Sequence, residues 1–338
     1  DTLQNHADPA LWSLNPGAGL LEGAFRQGAG LVDVDDAILA TTSISPGALA
    51  LGEGEAGPHT VSVSVTNDGD APVTYAIANN AETVAVGPPS TAPGYFYDPA
   101  EMSGPTEVTV GAGGTTVVEL TFTPPASTHR MYSGWVTFTP AEGDPLRVPY
   151  AGLSGDYQGI EVLTAGASGV LPVLGQLVEC DRLIGVDCVK DGSWNIFPDT
   201  GAGDEPVYTL VDGDVPTILA HLAHQSRSAT LTAYEANADG SQGAEVGVVV
   251  TQDYLARSAT TGSFEALTWD GTVEGEVVSD GKYILELSVL KALGDPANPA
   301  HTETFTSEPF TIGSEATDPT SPEVIRYTGD DRFATAAR

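Results

Sequence analysis

Two-residue alternation of apolar and polar side chains limits this chain more than any other feature. In HTVSVSVTN, Val61, Val63 and Val65 alternate with serine and threonine, the pattern of a strand with one face on a core and one in water. Asn67-Asp68-Gly69-Asp70 is a turn signal, and Val73, Tyr75 and Ile77 form the expected return strand. Further strands are expected at 108–110, 118–122, 135–139 and 146–150, separated by glycine- and proline-rich turns. About seven short strands in ~110 residues is the pattern of an antiparallel sandwich. Alternation returns at 229–234, 246–250, 264–269, 283–290 and 310–312, which predicts a second sandwich.

The rest of the chain breaks this rhythm. A length of 338 residues exceeds what one core usually covers. DTLQNHADPALW reads as the end of a helix stopped by Pro9. After a glycine-rich turn, Val32, Val34, Ile38 and Leu39 pass from alternating to helical spacing, a short strand or turn leading into a short helix. Residues 156–205 are irregular and read as a long insertion or an edge excursion. GSEATDPTSP is a polar linker, and EVIRYTGDDRFATAAR begins a further element. The expected divisions are 1–40, 41–155, 156–314 and 315–338. The chain opens at Asp1 with neither Met nor a signal peptide, so it reads as a piece of something longer.

Charge excludes some function classes. Twelve basic against 46 acidic residues give a net charge of −34 at pH 7. Such a surface repels phosphate backbones, so no nucleic-acid partner is expected, and it repels anionic lipid too. The same charge suits salty or calcium-containing surroundings, or a secreted protein from an acid-rich proteome. No apolar run of ~18 residues is present, so no membrane span is expected. Cys180 and Cys188 bracket the short loop DRLIGVD. No histidine lies between residues 130 and 220 to complete a metal site. A disulfide is the expectation, which implies an oxidising, extracellular setting; two free thiols are the alternative.

LQNHADP followed by FRQGAGLVDVDDAI resembles the end of the catalytic domain of subtilisin-like serine proteases, on Leu3, Asn5, Ala7, Asp8, Pro9, Gly28, Ala29, Gly30, Leu31, Val32, Asp33, Val34 and Ala37. His6 stands where the family usually has threonine. The match covers residues 1–40, and it implies that all three triad residues lie upstream of Asp1. The next hundred or so residues are similar to the cell-envelope branch of that family, the lactocepin and C5a-peptidase type, through HTVSVSVTNDGDAPVTY, SGWVTFT and RVPYAGLSGDY. WDGTVEGEVVSDGKYILELSV resembles the hairpin of a later fibronectin-like domain, with Asp270-Gly271 and Asp280-Gly281 as tight-turn pairs and Trp269 and Tyr283 as residues to be buried. The resemblance implies an all-β fold of two tandem fibronectin/immunoglobulin-like β-sandwich domains, preceded by a short, mainly helical remnant of an α/β catalytic domain. VIRYTGDDRFATA is similar to the opening of a type 2 bacterial cell-wall-binding repeat, on Arg326, Gly329, Asp331, Arg332 and Thr335. Only its first residues are present, so no wall binding through it is expected of this chain.

Candidate chemistry is sparse. A subtilisin-type nucleophile needs a serine at a helix start and a histidine base in reach. No such context occurs, and His6, His59, His129, His221, His224 and His301 are scattered. No catalytic residue is therefore assigned. Asp199-Thr200-Gly201-Ala202 imitates an aspartic-protease loop, but such an enzyme needs two, and Pro198 disfavours a strand leading in. A surface turn is expected there. Glu235, Asn237, Asp239 and Gly240 imitate half an EF-hand loop, but Val246 stands where the bidentate carboxylate belongs. No cofactor is expected; a structural calcium is the one candidate, with Asp212 and Asp214 as a place to look. His221 and His224 would share a metal only on a helix. Tyr95-Phe96-Tyr97 is either an exposed contact patch or a loop packed on its own sandwich.

The functional expectation is a non-catalytic accessory region of a secreted, cell-wall-associated subtilisin-like endopeptidase. Its partners would be the upstream catalytic domain, protein substrates and, through downstream repeats, the cell wall. The alternative is a cell-surface adhesin or binding module, which has no reason to carry LQNHADP with RQGAGLVDV.

Overall fold

The computed structural model describes residues 1–87, 94–198, 205–313 and 323–326. Its contacts divide the chain into two units, Asp1–Gly159 and Ile160–Arg338. The fold is all-β, and residues 1–40 fall inside the first unit.

Among the described residues of the first unit three short α-helices, α1 (Thr2–Asn5), α2 (Ala24–Gln27) and α3 (Val34–Leu39), precede eleven strands. These are β1 (Thr42–Ser45), β2 (Leu49–Glu53), β3 (His59–Asn67), β4 (Val73–Asn80), β5 (Val84–Gly87), β6 (Gly94–Tyr97), β7 (Glu101–Ser103), β8 (Glu107–Val110), β9 (Gly114–Thr123), β10 (Arg130–Pro140) and β11 (Leu146–Ser154). One sheet runs β1-β3-β9-β7; the other runs β2-β11-β10-β4-β8, with β5 beside β10 and β6 beside β5. The alternating residues do what the pattern asks: Val63, Val65, Tyr75, Ile77, Leu120, Phe122, Val136 and Phe138 form one buried core between the sheets.

Asn67-Asp68-Gly69-Asp70 is not a hairpin turn, although the sequence reads as one. β3 pairs with β1 and β9, whereas β4 pairs with β8 and β10, so the turn arches from one sheet to the other. Asn67, 2% exposed, holds this arch. Its amide donates to the carbonyls of Ala71 (2.8 Å), Gly111 (3.2 Å) and Val110 (3.3 Å), and its oxygen accepts from Gly69 N–H (3.0 Å). A buried amide that serves four backbone groups cannot be replaced by an apolar side chain without loss of those hydrogen bonds.

Among its described residues the second unit carries sixteen strands: β12 (Leu163–Thr164), β13 (Val173–Glu179), β14 (Arg182–Ile184), β15 (Asp187–Lys190), β16 (Ser193–Phe197), β17 (Val207–Tyr208), β18 (Thr217–Leu222), β19 (Ser226–Ala236), β20 (Gln242–Asp253), β21 (Glu265–Thr268), β22 (Thr272–Val273), β23 (Glu276–Val277), β24 (Gly281–Lys291), β25 (Thr302–Thr306), β26 (Phe310–Ile312) and β27 (Glu323–Arg326). The sheets run β12-β18-β13-β16-β27, with β21 beside β18, and β17-β26-β24-β19-β20, with β25 beside β24. Trp269 and Tyr283 are buried and meet edge to face with centroids 5.5 Å apart. The hairpin β22–β23 turns at Glu274-Gly275, both with positive φ, rather than at either Asp-Gly pair.

Residues 156–205 are not an edge excursion. They supply β13 and β16, which sit inside a sheet. Alternation is missing because this sheet is covered on both faces. Leu174 and Ile218 belong to the main core, while Val173 and Leu219 belong to a second cluster with Trp194, Ile196 and Phe264. All six residues of β18 are buried. A strand packed on both sides reads as a continuous apolar run and not as an alternating one.

Candidate functional site

The first forty residues are strapped to the first sandwich by backbone and buried polar groups. Asn5, fully buried, accepts from Ile44 N–H (2.9 Å) and donates to the Arg147 carbonyl (3.3 Å). Arg147 in turn reaches the Ala7 carbonyl (3.3 Å) and Asp8 Oδ1 (3.0 Å). Ser133 Oγ accepts from Ala24 N–H, and Trp135 Nε1 donates to the Ala29 carbonyl at 3.1 Å. Asp8 and Leu31 exchange both backbone hydrogen bonds at 2.8 Å. Gly30, at φ +128°, makes that crossing possible: a Cβ there would lie 2.3 Å from the Asp8 carbonyl oxygen.

This strapped segment leaves its apolar side chains outside. Leu39 is 77% exposed, Ile38 75% and Leu31 71%; Leu3, Leu11, Leu14, Val32 and Val34 are exposed as well. These eight are among the nineteen large exposed apolar residues of the described chain. Isolated exposed leucines are normal; here eight large apolar side chains lie exposed within one segment of forty residues. The motif GAGLVDV therefore splits by role: its glycines and backbone tie the segment down, and Leu31, Val32 and Val34 point away from the core. At the start of α3, Asp33 caps the helix by accepting from Asp36 N–H (3.2 Å). That bond and its neighbour Asp35 lower the Asp33 carboxyl pKa.

The other sequence candidates fall into structural places. Tyr95 packs on Trp12 with centroids 5.3 Å apart, and Arg130 lies 3.8 Å over the Phe96 ring, so Tyr97 is the exposed member of that trio. Cys180 and Cys188 are bonded, closing the β14–β15 hairpin. Asp214 is surrounded by donors, Gln176 Nε2 (2.6 Å), Thr209 Oγ1 (2.7 Å) and Thr209 N–H (2.9 Å), and so serves as a loop anchor. Asp239 accepts from Ser241 in the β19–β20 turn, which lowers its pKa. His221 lies on β18 and meets the Ser263 carbonyl through Nδ1 (2.7 Å), and His224 comes just after the strand; both are buried, and neither lies on a helix. His59 meets the Glu53 carbonyl, and His301 accepts from Asp295 N–H. Among the described residues, three carboxylates lie close enough to share an ion at Asp33/Asp35/Asp36 and at Glu53/Glu55/Asp156. Sequence reading did not single these out, because the second group joins positions about a hundred residues apart.

Asp199-Thr200-Gly201-Ala202 lies outside the described residues, as do Gly329, Asp331, Arg332 and Thr335. Arg326 ends β27, which pairs with β16 in register Ser193↔Arg326. No helix among the described residues is long and apolar enough to cross a membrane.

The sandwich of the first unit has counterparts among known proteins. Residues 49–151 match the Fn3-like domain family. The chain is 31% identical over 175 residues to the PI-type proteinase of Lactococcus lactis subsp. cremoris, an alignment that covers 44% of this chain and 9% of that protein. The PII-type proteinase of Lacticaseibacillus paracasei matches with the same identity and coverage. The similarity is thus to part of a proteinase, and the chain spans about a tenth of the length of the curated relatives it matches. Among solved structures, the class 5 fimbriae chaperone CfaA aligns over 80% of this chain and all of that one at 9% identity and a TM-score of 0.28, and no argument rests on it.

Proposed function

We infer that this chain is a non-catalytic accessory region of a secreted, cell-wall-associated subtilisin-like serine endopeptidase. In the whole protein, Ser/His/Asp acyl transfer takes place upstream, and the exposed apolar face of residues 1–40 docks against the domain that carries it. The Fn3-like domain buttresses that domain, spaces it from the wall and helps to place protein substrates. The cell wall is reached through repeats downstream of Thr335. The observation that carries this reading is the concentration of exposed apolar side chains on a segment tied to the Fn3-like sandwich by Asn5 and Arg147. Similarity to the PI- and PII-type proteinases supports the proteolytic setting. Burying a leucine or isoleucine side chain contributes roughly 1.5–3 kcal/mol, so Leu31, Ile38 and Leu39 alone supply several kcal/mol to such a contact.

Two measurements test this. The purified chain, treated with a serine-hydrolase active-site probe and with casein, is expected to show neither labelling nor cleavage; a labelled serine overturns the non-catalytic role. In the whole proteinase, replacing Leu31, Ile38 and Leu39 by serine is expected to lower the unfolding temperature of the catalytic domain and leave that of the isolated chain unchanged. Equal stability of the catalytic domain in both forms refutes the docking, and leaves an adhesin-like module as the reading.

A further inference from the structure

We propose that the outer edge of β16 in the second unit is a strand-acceptor site. It binds an extended peptide segment with two adjacent β-branched residues, and its occupant is this chain's own Glu323–Arg326, held reversibly, as a ligand is. Such binding is independent of the protease reading.

The edge has the character of an acceptor. β16 pairs with β13 on one side and with β27 on the other, and β27 has no other sheet neighbour among the described residues. The strand Ser193-Trp194-Asn195-Ile196-Phe197 contains neither a charge nor a proline. Edges of that kind pair with any strand on offer, and proteins blunt them with charge, bulges or shortness. The long edge at β20 is blunted in this way: Glu245 and Asp253 are exposed on it, and its register against β19 shifts at three places. β16 is covered by a strand instead. Its own place in the fold comes from elsewhere, because Trp194 and Ile196, each 3% exposed, cluster with Leu171, Val173, Leu219 and Phe264.

The occupant suits the edge. The pairing is antiparallel and without a shift, with Glu323 opposite Ile196, Val324 opposite Asn195, Ile325 opposite Trp194 and Arg326 opposite Ser193. Valine and isoleucine favour strands. Glu323 and Arg326 cancel in charge, so the segment escapes the repulsion of a chain with net charge −34. The preceding strand, β26, belongs to the other sheet. Residues 314–322, which join the two, include Pro319 and Pro322 and no large apolar residue. Nothing in that sequence obliges residues 323–326 to meet β16, so the edge itself selects them, by the backbone pairing that drives strand addition. The ladder is short. The hydrogen bonds of four residues with one neighbour do little more than offset the entropy of ordering them. Attachment to the same chain, at about millimolar effective concentration, keeps such a strand in place and lets it leave.

The test vacates the edge in the whole chain. In an antiparallel ladder neighbouring residues send their N–H groups to opposite sides, so V324P/I325P removes a bond to β16 in either phase. The fold is not at stake, because β27 borders one strand only. A fluorescent, blocked peptide of residues 321–328 is titrated with both chains, alongside the same peptide carrying the two prolines. The unaltered peptide is expected to bind V324P/I325P at least about tenfold more tightly than the unaltered chain, whose own strand competes. It is also expected to restore the slow amide exchange of Trp194, Asn195 and Ile196 that the variant loses. The proline peptide is expected to bind neither chain. Equal binding to both chains, no binding to the variant, or equal binding of the proline peptide overturns the proposal. Self-association of the variant in ultracentrifugation without peptide binding also overturns it, and makes a second copy the occupant of the edge.

Discussion

Replacing Gly30 by alanine should loosen the strap that presents the apolar face. The backbone there has φ +128°, which L-residues rarely adopt, and imposing it on a residue with a Cβ costs on the order of 1–3 kcal/mol. The new Cβ would also lie 2.3 Å from the Asp8 carbonyl oxygen and 2.7 Å from Pro9 N. Those contacts are with backbone, so nothing flexible can move aside. The Asp8–Leu31 crossing must open, and each of its two hydrogen bonds contributes about 0.5–1.5 kcal/mol. Together these effects give a loss of about 3 kcal/mol, or roughly 6–12 °C in the unfolding temperature of a unit this size. Gly19 is the internal comparison. It also has positive φ (+72°), but nothing lies within 4 Å of an added Cβ, so G19A should cost only about 1 kcal/mol. Calorimetry of both variants, with amide exchange at Asp8 and Leu31, checks the difference. If G30A unfolds no earlier than G19A, or if the exchange at Asp8 and Leu31 stays protected, then the close crossing is not what holds residues 1–40 in place.

Three further outcomes are expected. Asn67→Ala removes the side-chain bonds to the Ala71, Val110 and Gly111 carbonyls and to Gly69 N–H and should destabilise the first unit by about 1–3 kcal/mol, read as a lower urea midpoint at unchanged slope. C180S/C188S opens an eight-residue separation and should cost the second unit about 2.5 kcal/mol, with reductant giving the same loss in the unaltered chain and none in the variant. The Tyr132 hydroxyl is buried without a partner, and burial pushes its pKa from 10.0 up to about 12. The unfolded chain therefore releases this proton first, so the stability it confers is full below pH 10 and falls by about 1.4 kcal/mol per pH unit between the two values. Y132F should be near-neutral at pH 7 and should show a shallower loss of stability above pH 10 in chemical denaturation.

Residue order alone was enough for the all-β character, most strand positions in the first sandwich and the outer strands of the second. Those strands have one wet face, and a wet face writes period two into the chain. The cysteine pair was equally legible, whereas Asn5 and Gly30 stood out only as part of a motif, and their part in the strap came from the fold. The features that emerged only on folding share one cause: they depend on what covers a segment, and covering residues come from elsewhere in the chain. β13 and β16 were illegible because β18 and its neighbours are packed on both faces, which erases alternation. The Asn67 turn read as a hairpin because its local residues are those of a hairpin, yet the carbonyls of residues 110 and 111 draw it across the sandwich. Leu31, Ile38 and Leu39 lie exposed while Arg147, Ser133 and Trp135 hold the segment by its backbone, a division no spacing in the sequence shows.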